Sequence, residues 1–146
     1  MKGTKYILFF LLGGLLLSFQ KDERVKVRFK KGEVLINDIA WSKFNDVGTK
    51  TFAQTLSGEA YVIVTLLKYG TKKYDANGRE INHLYSEIKF DSDELTSFEV
   101  DLDVGEVFRQ FYRYKVLNND VFDSEVAKEF KKQLEDNVSE RRFQTK

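Results

Sequence analysis

Residues 61–67 read Tyr-Val-Ile-Val-Thr-Leu-Leu, and this stretch decides the predicted fold. Its side chains are largely apolar and several are β-branched, with Thr65 as the one polar exception, a composition typical of a strand that is covered on both faces. Towards the C-terminus, residues 84–90 and 98–102 alternate between apolar and polar side chains, as half-buried strands do. We therefore place residues 61–67 at the centre of a sheet.

Shorter segments with strand-like patterns precede this stretch, and turn-forming pairs such as Lys31-Gly32 and Asn37-Asp38 separate them. These segments are residues 25–30, 33–36, 39–44 and 51–56. Trp41 lies in one of them and is expected to belong to the core. Residues 70–82 are polar and contain Asn77-Gly78, a pair that favours type I′ turns, so they are predicted to form a long hairpin loop.

The hydrophobic period changes to that of a helix after residue 103. Apolar residues recur at helical spacing from Val104 to about Leu117, and residues 118–120 are expected to end this helix. Asp123 or Ser124 is expected to cap a second helix. The predicted fold class is α+β, an antiparallel β-meander of about six or seven strands followed by two C-terminal helices packed on one sheet face.

Residues 1–20 have the layout of a secretory signal, in which lysines precede an apolar run at residues 6–19 and a polar segment follows. As a helix this run would span roughly 21 Å, less than the membrane core of about 30 Å. Because no cleavage site fits well, an uncleaved N-terminal anchor remains an alternative. The predicted organisation is a signal peptide or short anchor at 1–20, one domain at 21–136 and a flexible, frayed polar tail at 137–146.

Composition narrows the classes of function. Residues 1–20 hold two lysines and no acidic residue, so the rest of the chain carries 22 basic and 23 acidic residues. This near-neutral balance gives no electrostatic reason to expect nucleic acid as a partner. The chain has no cysteine, which excludes disulfides, cysteine nucleophiles and lipoprotein acylation. No cofactor motif is present in the sequence, and no cofactor is expected.

Two groups of residues are candidates for catalytic or metal chemistry. His83 is the only histidine, and it is expected to be a surface residue because no nucleophile motif accompanies it. Glu99, Asp101 and Asp103 alternate, so a strand would place them on one face as weak candidates for calcium ligands. The alternative is a solvated strand face whose charges discourage edge pairing. We assign no catalytic residue.

Exposed aromatic and basic side chains are the candidates for partner binding. One set surrounds the loop at residues 70–82, and the other lies on the outer side of the first helix. The candidate partner-binding residues are Tyr69, Lys72, Lys73, Tyr74, Arg79, Arg109, Tyr112 and Arg113.

Three segments carry a family resemblance. They are residues 29–36 (Phe-Lys-Lys-Gly-Glu-Val-Leu-Ile), residues 84–90 (Leu-Tyr-Ser-Glu-Ile-Lys-Phe) and residues 114–119 (Tyr-Lys-Val-Leu-Asn-Asn), which lead into residues 126–130. In these pieces the chain resembles small exported proteins of Bacteroidetes that have no characterised activity. The resemblance implies a location in the cell envelope and an α+β fold, and it implies no activity.

The resulting hypothesis is a non-enzymatic domain, periplasmic or secreted, that binds another protein of the cell envelope. One alternative is a structural component of an envelope assembly, anchored in the membrane through residues 6–19. A further alternative is a calcium-dependent or hydrolytic module that uses the acidic strand.

Overall fold

The computed structural model describes residues 25–144, so the predicted signal or anchor at residues 1–20 lies outside the described residues. Nine strands and three helices lie within residues 25–144. The strands are β1 (Val27–Lys30), β2 (Glu33–Ile36), β3 (Ile39–Val47), β4 (Lys50–Gln54), β5 (Ala60–Tyr74), β6 (Glu80–Phe90), β7 (Phe98–Val100), β8 (Leu117–Asn118) and β9 (Val121–Phe122). The helices are α1 (Val104–Tyr114), α2 (Ser124–Leu134) and α3 (Val138–Gln144).

Strands β1 to β7 form one antiparallel sheet in which each strand pairs with the next along the chain. This arrangement is a meander, and helices follow it at the C-terminal end of the described chain. The predicted α+β class, with an antiparallel meander of about six or seven strands before the helices, is therefore confirmed. β8 and β9 form a separate small hairpin between α1 and α2.

The core lies between one face of the sheet and helices α1 and α2. Val64 of β5 and Phe90 of β6 are fully buried, and Phe111 of α1 and Phe130 of α2 belong to the same cluster. The Phe90 ring lies 5.5 Å from that of Phe111 and 5.9 Å from that of Phe130. Burying each such side chain contributes roughly 1.5–3 kcal/mol, which gives a domain without disulfides its main source of stability. Trp41 packs against this core, as predicted.

The ends of α1 follow from local hydrogen bonds. The side chain of Asp103 accepts a hydrogen bond from the backbone N–H of Glu106, which caps the N-terminus of the helix. Lys115 adopts a left-handed conformation with φ of 63° and ends the helix. Residues 118–120 were expected to end it, and that prediction is wrong. Asn119 and Asp120, both with positive φ, instead form the turn between β8 and β9.

Residues 138–144 form helix α3, so the prediction of a frayed tail from residue 137 is wrong for this segment. Val138 is buried, and the backbone N–H of Asp136 donates to the carbonyl of Glu99 on the edge strand β7. The Glu99 side chain points away from the core, and it accepts hydrogen bonds from the N–H and Oγ of Ser139. The segment is short and mostly polar, so the sequence pattern does not predict a helix there. The hydrogen bonds that hold it are made with Glu99 on another element.

Candidate functional site

Strands β5 and β6 extend beyond the strands next to them. The end of β5, the turn and the beginning of β6 form a projecting hairpin, which we call the arm (residues 67–85). β4 pairs with β5 as far as Thr65, and β7 pairs with β6 from Ser86. In the arm, β5 and β6 pair only with each other within the described chain. At about 3.3 Å per residue, the arm extends roughly 20 Å beyond the sheet. The prediction of a long loop at residues 70–82 is wrong, because β5 continues to Tyr74 and β6 begins at Glu80.

The turn at the end of the arm is fixed by Asp75. The backbone N–H of Asp75 donates to the carbonyl of Arg79 at 2.9 Å, and the N–H of Gly78 donates back to the carbonyl of Asp75 at 3.1 Å. Gly78 has φ of 77°, whereas Asn77 is not in the left-handed region. The expected type I′ turn is therefore replaced by a type I turn followed by a left-handed glycine. The reason is that Asp75 Oδ1 accepts from the N–H groups of Asn77 and Arg79.

A bulge at residues 71–73 bends the arm before its tip. Lys72 has φ of 61°, an uncommon conformation for a residue with a side chain. Its N–H donates to Glu80 Oε1 at 3.0 Å, and Thr71 Oγ1 donates to the carbonyl of Ile81 at 2.6 Å. The carboxylate of Glu80 lies where a side chain at Gly70 would begin. These contacts hold the tip in one direction relative to the rest of the arm.

The arm exposes large apolar side chains. Tyr74 is 64% exposed, Ile81 48% and Leu84 43%. The alternation of residues 84–90 in the sequence predicts that Leu84 points into the core and Tyr85 outward, but Tyr85 is the buried one, at 4%. The arm has left the core by Leu84, so the face that is inward elsewhere in β6 is open there. These three exposed apolar residues make the projecting hairpin a candidate interaction surface.

The acidic and basic residues of the arm have different environments. Asp75 and Glu80 accept backbone hydrogen bonds of the arm itself. The basic side chains of the arm make no hydrogen bond or ion pair within residues 25–144, and all are exposed. These basic residues are Lys68, Lys72, Lys73 and Arg79.

At its base the arm is tied to α3 by a chain of polar side chains. His83 Nε2 donates to Asp101 Oδ1 at 2.5 Å, and Arg141 Nη2 donates to Asp101 Oδ2 at 3.2 Å and to Asp136 Oδ2 at 3.1 Å. The ring of Tyr69 packs 5.1 Å from that of His83. Tyr69 therefore belongs to the base of the arm. No sequence signal predicts this series of hydrogen bonds, since Asp101 and Arg141 are far apart in sequence.

The predicted binding residues divide between two elements. Lys72, Lys73, Tyr74 and Arg79 share the distal half of the arm, as the sequence predicted for a hairpin tip. Tyr69 lies at the base of the arm, and the other three lie on α1. This second set is Arg109, Tyr112 and Arg113.

The α1 residues are engaged with the body of the domain. Arg109 Nε donates to the carbonyl of Val25 at 2.8 Å and forms an ion pair with Glu106. Tyr112 packs edge-on against Trp41, with ring centroids 6.0 Å apart. Arg113 is half-buried. These contacts stabilise the packing of α1, so the expected outer face of this helix is a weaker binding candidate than the arm.

The three acidic candidates do not converge on one site. The Glu99 carboxylate accepts a hydrogen bond from Ser139, and the Asp101 carboxylate accepts hydrogen bonds from His83 and Arg141. Asp103 caps α1. β7 ends at Val100, so the strand that would have aligned the three carboxylates stops before Asp101. Within residues 25–144, no group of three or more His, Asp or Glu side chains is arranged to hold a metal ion.

One buried ionisable group stands out. Burial raises the pKa of the Tyr61 hydroxyl well above its usual value of 10.0. This hydroxyl lies 2.9 Å from Ser42 Oγ, which in turn donates to the carbonyl of Gln54. A phenol with a raised pKa is a poor nucleophile, so Tyr61 serves to join β3, β4 and β5 in the core.

A second pair of shifted groups lies on the surface. Lys128 of α2 bonds to Glu94 and Glu125. The hydrogen bond with Lys128 lowers the pKa of Glu94, and the same bond raises the pKa of Lys128. The pair connects the loop before β7 to α2. Because both side chains are exposed to water, it contributes little to the stability of the fold.

Comparisons of the chain with protein-family models, with curated proteins and with solved structures find no match. The resemblance to exported Bacteroidetes proteins therefore stays a hypothesis. None of the helices in residues 25–144 is long and apolar enough to cross a membrane.

Proposed function

We propose that this chain is a non-enzymatic, exported protein-binding module, and that it binds another protein of the cell envelope through the arm. The observation that carries the proposal is the projection of the arm beyond all its neighbouring strands with Tyr74, Ile81 and Leu84 exposed. The N-terminal pattern at residues 1–20 supports the location.

Physical cost supports a binding role for the arm. A two-stranded hairpin is marginally stable in water, and exposed apolar side chains add an aggregation liability. Elsewhere the sheet manages its edges: Asp136 bonds to the edge strand β7, and Arg109 bonds to the carbonyl of Val25 just before the edge strand β1. A partner that covers the arm would explain its unpaired outer edges and its exposed Tyr74, Ile81 and Leu84.

In-cell photo-crosslinking tests this proposal. The full chain would carry p-benzoylphenylalanine in place of Tyr74, at the tip, or in place of Glu129, an exposed position on α2. After irradiation in the source cells, we expect one discrete protein adduct from position 74 and none from position 129. Mass spectrometry of the same sample would identify the partner and the N-terminal peptide.

Two results would count against the proposal. Absence of an adduct at position 74 would remove the arm as the binding element. Equal adducts from positions 74 and 129 would indicate random collision.

A further inference from the structure

We infer that the surface bound by the arm is an acidic patch of a folded protein, surrounding an apolar depression that receives Tyr74. This inference rests on the proposed function and adds the chemistry of the partner.

Charge on the arm carries the first step. Asp75 and Glu80 are directed at backbone N–H groups of the arm, where they neutralise part of the turn and bulge dipoles. Lys72, Lys73 and Arg79 have no acidic partner within residues 25–144. The tip therefore presents a surplus of positive charge although the chain as a whole is nearly neutral. A partner with carboxylates facing these side chains gains attraction and orientation.

Geometry carries the second step. Tyr74 pairs with Glu80, so these two side chains share one face of the arm, and Tyr74 is exposed there. The bulge at residues 71–73 fixes the direction in which Tyr74 points. An aromatic side chain held in a fixed direction, with basic residues next to it along the chain, matches the anchor-and-rim pattern of protein interfaces.

An anionic membrane is the competing occupant, and two features favour a protein. Beyond Thr65 and Ser86 the outer edges of the arm pair with no strand in the described chain, so their backbone groups would enter lipid without hydrogen-bond partners. Anionic headgroups would also face the carboxylates of Asp75 and Glu80 and repel them, whereas a protein can place its carboxylates only where they face Lys72, Lys73 and Arg79. A protein surface can supply both donors and acceptors.

The test introduces charge reversal into the crosslinking experiment at position 74. The variant K73E/R79E reverses two exposed charges of the tip, and K43E/K50E is the matched control on β3 and β4. We expect the adduct to fall about tenfold in K73E/R79E and to be unchanged in K43E/K50E. The neutral variant K73Q/R79Q should give an intermediate loss. If thermal melting shows that K73E/R79E does not fold, the loss of adduct in K73Q/R79Q decides whether binding depends on these two basic residues.

The outcomes separate the two proposals. A wild-type yield of adduct in both K73E/R79E and K73Q/R79Q would overturn the acidic patch and leave protein binding in place. If the protein with the crosslinker at position 74 and no charge substitution gives no adduct, the result contradicts the proposed function itself. Purified protein would also be sedimented with vesicles of phosphatidylcholine containing phosphatidylglycerol. We expect no binding, and binding that depends on Lys73 and Arg79 would overturn the inference in favour of a membrane.

Discussion

Gly70 sets the direction of the arm at the scale of a single residue. The Glu80 carboxylate occupies the space in which a side chain at position 70 would begin, and from there it accepts the N–H of Lys72. Glycine is required here for its small size, since Gly70 itself has no positive φ. The geometry of the tip thus depends on one missing side chain.

The substitution Gly70→Ala should therefore loosen the bulge without unfolding the domain. The new methyl group displaces the Glu80 carboxylate, which leaves the Lys72 N–H exposed to water. We expect faster amide hydrogen exchange at Lys72 and a change in unfolding free energy of at most about 1 kcal/mol. Glu80→Gln is the control, because it keeps the oxygen acceptor. Unchanged exchange at Lys72 in Gly70→Ala would contradict this account of the bulge.

Tyr61 gives the core a specific sensitivity to alkali. Burial raises its pKa in the folded protein, whereas the unfolded chain ionises near 10.0. The contribution of the Tyr61 hydroxyl to the free energy of unfolding is fully present below pH 10. It is lost as the pH rises above that value, because only the unfolded chain then releases the proton.

The variant Tyr61→Phe should remove this component. Near pH 8 we expect it to be less stable by about 1 kcal/mol, from the lost hydrogen bond with Ser42. Above pH 10 the deficit should shrink by up to about 1.4 kcal/mol per pH unit. Urea unfolding of both proteins from pH 8 to 10.5 measures the difference, and other tyrosines and lysines cancel in it. Parallel stability curves would show that Tyr61 does not titrate differently on unfolding.

At the scale of elements, the apolar contact described for α3 is that of Val138. Val138 is fully buried, and the side chains of Ser139 and Arg141 make polar contacts. Since Asp101 holds both Arg141 and His83, release of α3 would also disturb the base of the arm.

We expect Val138→Ala to destabilise the domain by about 2 kcal/mol, the value typical of removing two buried methyl groups. Limited proteolysis should cut residues 138–144 faster in this variant. Val121→Ala is the matched control, because Val121 is 63% exposed, and it should change stability by less than about 0.5 kcal/mol. Equal effects of the two substitutions would show that α3 is not held by Val138.

The sequence predicted those elements whose patterns arise from the core. β5 and the apolar stripe of α1 were recognised because Val62, Val64, Phe108 and Phe111 all face one interior. The arm was mistaken for a loop because residues 70–82 bury nothing, so no apolar alternation marks them as strand. Its binding residues could still be predicted from their chemistry. The role of Glu80 beside Gly70 could not, since it depends on a bulge that local pattern does not reveal.

At the scale of the whole molecule, the sheet and helices form a closed body from which one part projects. Most core residues lie in β2, β4, β5, β6, β7, α1 and α2, the remainder are Leu95, Val116 and Leu117, and none lies between residues 65 and 84. The arm beyond Tyr69 therefore adds little to the stability of the body, and binding is the role that we propose for it.

Removal of the distal arm tests this central claim most directly. Tyr69 and His83 pair across the arm, so residues 70–82 would be replaced by Asn-Gly, which closes a two-residue hairpin there. The account predicts that the shortened protein melts within about 4 °C of the original and no longer captures the partner found by crosslinking. A shortened protein that captures this partner as well as the full-length protein does would contradict the account.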